Sequence, residues 1–69
     1  MTNLRDLFLN ECQKRNMFVT VFTTNGFQIK GSIHGYDDEI VVVDQADGKQ
    51  AAVYKHAIST VVPYSPVLL

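Results

Sequence analysis

Three turn signals, Asn25-Gly26, Asp37-Asp38 and Asp47-Gly48, cut the stretch from Met17 to Pro63 into short runs rich in β-branched and aromatic residues. Runs of that length, bounded by Gly, Asn and Asp, are the pattern of strands joined by tight turns. Only the first fifteen or so residues escape it. With Lys55-His56-Ala57 dividing the last of these runs in two, the pattern predicts a mostly β molecule: one N-terminal α-helix followed by five short strands with tight turns, a small bent-sheet barrel.

The helix is expected over about 3–15. Leu4, Leu7, Phe8 and Cys12 recur at the three- and four-residue steps of one face. Asn3 is placed to cap the first turn and Asp6 to meet the positive end of the dipole, while Lys14 and Arg15 suit the C-terminal end. The strands are expected over about 18–63: Phe18 to Thr24, Phe27 to Tyr36, Ile40 to Val43, Gln50 to Tyr54 and Ile58 to Val62. Asn25 and Gly26 both tolerate positive φ, which suits a hairpin. In the second strand Phe27, Ile29 and Ile33 alternate with Gln28, Lys30, Ser32 and His34. Gly31 and Gly35 on the apolar face allow the sheet to bend. Ile40 to Val43 is unbroken in its hydrophobicity, which predicts burial on both faces.

Size limits how such a chain is stabilised. With 69 residues it is expected to be one domain, 1–69, and scaffolds this small usually gain stability from disulfides, a metal or association. Cys12 is the only cysteine, so an intrachain disulfide is excluded. Cys12, His34 and His56 match no zinc-site spacing, and no metal or cofactor is expected. Cys12 lies on the apolar stripe, where a reduced thiol behaves as a small hydrophobe. Association remains. Two strands apolar on successive residues cannot both turn all sides to one small core, and an exposed hydrophobic edge invites pairing. Copies are expected to join edge to edge, and head-to-tail pairing that closes gives a ring.

The chemistry concentrates late in the chain. Tyr54-Lys55-His56 sets an aromatic, an ammonium and an imidazole side by side before the apolar run Ile58 to Val62, a trio suited to stacking, phosphate contact and base-edge hydrogen bonding. A net charge of −1 argues against nonspecific adhesion to nucleic acid, so RNA binding requires shaped pockets and locally placed cations. No apolar run approaches the roughly 20 residues of a membrane span, and a cytoplasmic protein is expected. A hydrolytic dyad of His56 with Asp37 or Glu39 lacks a nucleophile motif and a cofactor loop, so no enzyme is expected. Asp37-Asp38-Glu39 has the composition of a turn rather than of a cation site. The rival outside RNA binding is a monomeric, protein-binding barrel of the SH3 type.

Thr24-Asn25-Gly26-Phe27-Gln28, Tyr54-Lys55-His56-Ala57-Ile58-Ser59-Thr60 and the helix segment Asp6-Leu7-Phe8-Leu9-Asn10 together resemble the signatures of the bacterial Sm-like RNA chaperone family Hfq, over residues 3 to 63. The resemblance implies an Sm-like fold, with the N-terminal α-helix on a strongly bent five-stranded antiparallel sheet that makes a small open barrel. It implies a homohexameric ring, no catalysis, and a role in pairing small regulatory RNAs with messenger RNAs. It also implies three surfaces for single-stranded RNA. A proximal, helix-bearing face takes U-rich RNA at Arg5, Asp6, Glu39, Tyr54, Lys55 and His56, with Lys55 and His56 lining the pore and Tyr54 supporting the motif. A distal face takes A-rich RNA at Phe22, Asn25, Gly26, Phe27, Gln28, Ile29 and Thr60, with Phe22 and Phe27 around an adenine. A rim uses Lys14 and Arg15.

The chain departs from the family pattern in places. Glu39 stands where members usually carry a stacking aromatic, and Arg5 where a glutamine usually reads uracil. Ala51 replaces a glutamine that reads purine, and Gln13 and Asn16 leave the rim sparsely charged. Arg5 either stacks and compensates, or pairs with Glu39 and neutralises both. Weakened U-rich binding beside retained A-rich binding is the resulting expectation.

Overall fold

A computed structural model describes residues 3–68. It contains α1 (Leu4–Lys14), β1 (Phe18–Thr23), β2 (Gln28–Tyr36), β3 (Ile40–Gln45), β4 (Gln50–Tyr54), a single 3-10 turn (Lys55–Ala57) and β5 (Ile58–Pro63). The strands form one antiparallel sheet in the order β4-β3-β2-β1-β5, so β4 and β5 are its two edges.

Asn3 caps α1 as expected, its side chain accepting from the Asp6 N–H at 2.8 Å. The helix ends at Lys14 with Arg15 as its cap, and Asn16 just beyond takes a left-handed φ of 51°. The Met17 N–H reaches back to the Cys12 carbonyl and the Asn16 N–H to that of Gln13, the paired closure of a Schellman motif. The face α1 buries is turned from the one the spacing predicts. Leu9 and Cys12 are buried and Phe8 packs against them, while Leu4 and Leu7 are 66% and 42% exposed. Leu9 falls three residues before Cys12, so this pair meets the sheet and the remaining leucines of the stripe face outward.

The core comprises Leu9 and Cys12 with Val19, Val21, Ile33, Val41 and Val43. In β3 only alternate residues enter it. Val41 and Val43 are fully buried, whereas Ile40 and Val42 are half-buried, so burial on both faces is not achieved within one copy. Gly31 is required by close approach rather than by φ: a Cβ there would strike the Asp44 carbonyl on β3. The β2–β3 register shifts between Ile33 and Gly35, bending the sheet beside the helix.

The first hairpin also differs from expectation. Of Asn25 and Gly26, only Gly26 has positive φ, at 92°. The Gly26 N–H donates to the Thr23 carbonyl, and the Thr23 N–H to that of Phe27, giving a three-residue loop ending in a left-handed glycine. The Thr23 hydroxyl accepts from the Phe27 N–H at 3.0 Å and donates to Asn25 Oδ1 at 2.6 Å, which holds Asn25 in ordinary φ. Gln45 to Lys49 repeats the device, with Gly48 at φ 88°.

Candidate nucleic-acid interface

The two signature segments, far apart in sequence, meet directly. The Thr24 N–H in the first hairpin donates to the Ala57 carbonyl in the 3-10 turn at 2.8 Å, and Ser59 Oγ donates to the Phe22 carbonyl at 3.2 Å. Turn and hairpin are thereby joined while presenting different sides of the sheet.

On the helix side, the turn follows Tyr54 and is anchored by the Lys55 N–H to the Glu39 carbonyl at 2.7 Å. Lys55 itself turns inward. Its side chain is 5% exposed, its Nζ donates to Asp6 Oδ1 at 2.9 Å, and it lies 5.2 Å from the centre of the Tyr36 ring. Tyr36 in turn donates its hydroxyl to the Asp6 carbonyl at 3.2 Å. Lys55, Asp6 and Tyr36 thus fasten the turn to the first helical turn across 49 residues of sequence. The sequence names Lys55 and Asp6 as site residues without revealing that they bind each other. Tyr36 carried no signal beyond its place before a turn.

His56 stays open. It is exposed, makes no side-chain hydrogen bond among the described residues, and stacks on the 57%-exposed Tyr54 ring at 5.4 Å between centres. Glu39 is exposed and forms no ion pair among the described residues. The alternative of an Arg5–Glu39 pair is not adopted: Arg5 Nε instead lies 4.0 Å from Asp6 Oδ1. Asp37 shapes the loop carrying Glu39. Its Oδ1 accepts from the Ile40 and Glu39 N–H groups, and these bonds hold its carboxyl below the usual value. Between α1 and β5 runs a groove of about 420 Å³ lined by Leu4, Arg5, Phe8, Lys55, Ile58 and neighbours.

The opposite face is built by strand alternation. Phe22 pairs with Gln28 on β2 and with Thr60 on β5, which puts the three side by side away from the buried Val21. Phe27 lies just outside β2 and is 66% exposed, so it leaves the apolar face to which the alternation assigned it. Asn25 and Gly26 are exposed beside it. Ile29, by contrast, pairs with Val21 and packs against the core, so it shares its surface with the interior.

Lys30 is a residue that sequence reasoning left out of the site. It stands opposite Thr20, one step along the same face from Gln28, and forms no ion pair among the described residues. Its alternation with Gln28 was the available signal. The rim cations are less free: Arg15 lies 3.2 Å and Lys14 4.0 Å from the Glu11 carboxylate.

A family model described as Hfq protein matches residues 4–68. The RNA-binding protein Hfq of Moorella thermoacetica is 55% identical over 67 residues, covering 97% of this chain and 79% of that protein. That of Alkaliphilus oremlandii is 52% identical over 65 residues, covering 94% and 80%. A crystal structure of the pleiotropic translational regulator Hfq matches with a TM-score of 0.82 at 45% identity, over 87% of this chain and 98% of that one.

Proposed function

The chain belongs to the Hfq family, and from that membership we propose that it is a non-enzymatic, cytoplasmic RNA chaperone that binds single-stranded RNA and helps small regulatory RNAs pair with messenger RNAs. Copies join β5 of one to β4 of the next in a homohexameric ring. In support, β4 and β5 are the sheet's edges, and Leu4, Leu7, Tyr54 and Val62 are all at least 42% exposed in one copy. An unpaired apolar edge of this kind favours strand addition.

The observation that carries the reading is the direct bonding of the two signature segments, which sets the Tyr54–His56 turn and the Phe22–Gln28 face on one rigid frame. On the distal face Phe22 and Phe27 stack adenine, Gln28 reads its edge, and Thr60 adds a hydroxyl. Lys30 supplies a free cation for phosphate. Gly26 permits close backbone approach.

On the proximal face His56 contacts RNA at the pore while Lys55 holds its place through Asp6. Glu39 adds negative charge where U-rich RNA approaches and offers no ring for stacking. A-rich RNA therefore binds more tightly than U-rich RNA. Rim annealing is modest, since Lys14 and Arg15 share Glu11.

Sedimentation combined with equilibrium binding of oligoadenylate and oligouridylate at one salt concentration tests this. A hexamer that prefers oligoadenylate is expected. Tighter oligouridylate binding overturns the face preference, and a stable single chain indifferent to both overturns the function.

A further inference from the structure

We propose that Phe18 and Tyr64 form a second base-stacking platform at the far end of the distal sheet face, lengthening the path of single-stranded RNA beyond Phe22. The inference rests on the reading of that face as an RNA surface.

Val62 stands opposite Thr20 and Thr60 opposite Phe22, and the Tyr64 N–H donates to the Phe18 carbonyl at 2.9 Å. That bond carries the pairing one step past the end of β5 and sets Tyr64 across from Phe18. Successive strand residues turn to opposite sides, and Val19 and Val21 are buried, so Phe18, Thr20 and Phe22 share the side away from the core. Phe18 is 44% and Tyr64 86% exposed. The two rings are not stacked on each other, because the one stacked ring pair among the described residues is Tyr54 with His56. Cross-strand neighbours this close, both open and unpaired, leave ring faces free for a planar ligand.

Spacing and charge favour a nucleobase. Phe18 and Phe22 are four residues apart on β1, about 13 Å, which stacked nucleotides at about 3.4 Å each cover in a few steps. Lys30 lies opposite Thr20, between them, where a backbone crossing from one platform to the other needs a cation. On the β3 side Asp44 stands opposite Ser32 and is held as a carboxylate by Gln50 Nε2 at 2.7 Å and His34 Nδ1 at 2.9 Å. Its charge keeps phosphates on the β1–β5 side. A protein partner would place charge at the rim of its contact, whereas here Lys30 and Thr20 sit between the aromatics.

The test uses the full chain with Tyr64→Ala, Tyr64→Trp and Phe22→Ala. Tyr64 is too exposed for its removal to open the core. Tyr64→Ala is expected to weaken oligoadenylate binding roughly fivefold or more, the loss of one stacked base. Tyr64→Trp should retain affinity, and as the chain has no other tryptophan, oligoadenylate should quench its emission. If Tyr64→Ala binds as the parent does while Phe22→Ala loses affinity, the second platform is overturned and the distal-face reading stands. If neither substitution changes binding, both fail. A change in assembly mass on Tyr64→Ala would mark the surface as a protein contact and also overturn the platform.

Discussion

The two sides of the sheet hold similar inventories, an aromatic, a cation and hydrogen-bonding groups, yet they deploy them differently. On the helix side Lys55 is enclosed and bonded to Asp6 under Tyr36, and the nearby loop presents Glu39. On the opposite side Lys30 has no carboxylate partner among the described residues, and Phe22 and Phe27 flank the hairpin. The same residue types thus do structural work where the helix covers them and remain open to a ligand where nothing does. A cation in a sequence motif is informative about binding only once its own partner is known.

The sharpest way to break this comparison is Lys55→Ala. It strips Asp6 of its charged partner and empties the space under Tyr36, and should lower stability by about 2 kcal/mol, seen as a fall of roughly ten degrees in Tm. Unchanged Tm would mean that the ion pair is not what secures the turn. Phe22→Ala should behave in the opposite manner. The expected loss is about 1–3 kcal/mol of oligoadenylate affinity, with little change in melting, because the ring is only half-buried. Equal effects on both measurements would erase the distinction between the two sides.

Sequence patterning carried most of the architecture. Turn residues placed the hairpins, and period-two alternation set Gln28 and Lys30 on one side and Ile33 on the other. The rotation of α1 was hidden, because Leu4, Leu7 and Leu9 are equivalent as hydrophobes and only contact with the bent sheet selects Leu9. The glycine-closed loop after β1 was hidden in a similar way: the Thr23 hydroxyl, not the Asn25-Gly26 pair alone, decides its geometry. The Lys55–Asp6 bond joins positions 49 residues apart, beyond what local patterning encodes. Schellman closure at Asn16 was legible in principle, since Asn is the residue after Gly most tolerant of left-handed φ.

Smaller effects sharpen the helix-side reading. Glu39→Phe removes a carboxylate and adds a ring, and should tighten oligouridylate binding by about 1 kcal/mol while leaving oligoadenylate unchanged. A gain for both oligonucleotides would point to charge alone. The smallest effect is expected at Asp37, whose carboxyl is held low mainly by the Ile40 N–H and then by that of Glu39. Because its folded value lies below the usual 3.8, the carboxylate contributes stability above that pH and loses it as pH falls through the lower folded value. Asp37→Asn keeps an accepting oxygen but cannot titrate. Its acid unfolding curve below pH 3.8 should be flatter than the parent's, and coincident curves would remove Asp37 from the acid response.

Cys12 has no exposed surface, and burial, with Glu11 adding to it, raises its thiol above the ordinary range. An alkylating reagent therefore reaches sulfur only in molecules whose helix has lifted from the sheet. Labelling rates then time that opening with a chronometer already in the chain, and saturating nucleotide should slow it by whatever amount ligand holds the molecule shut.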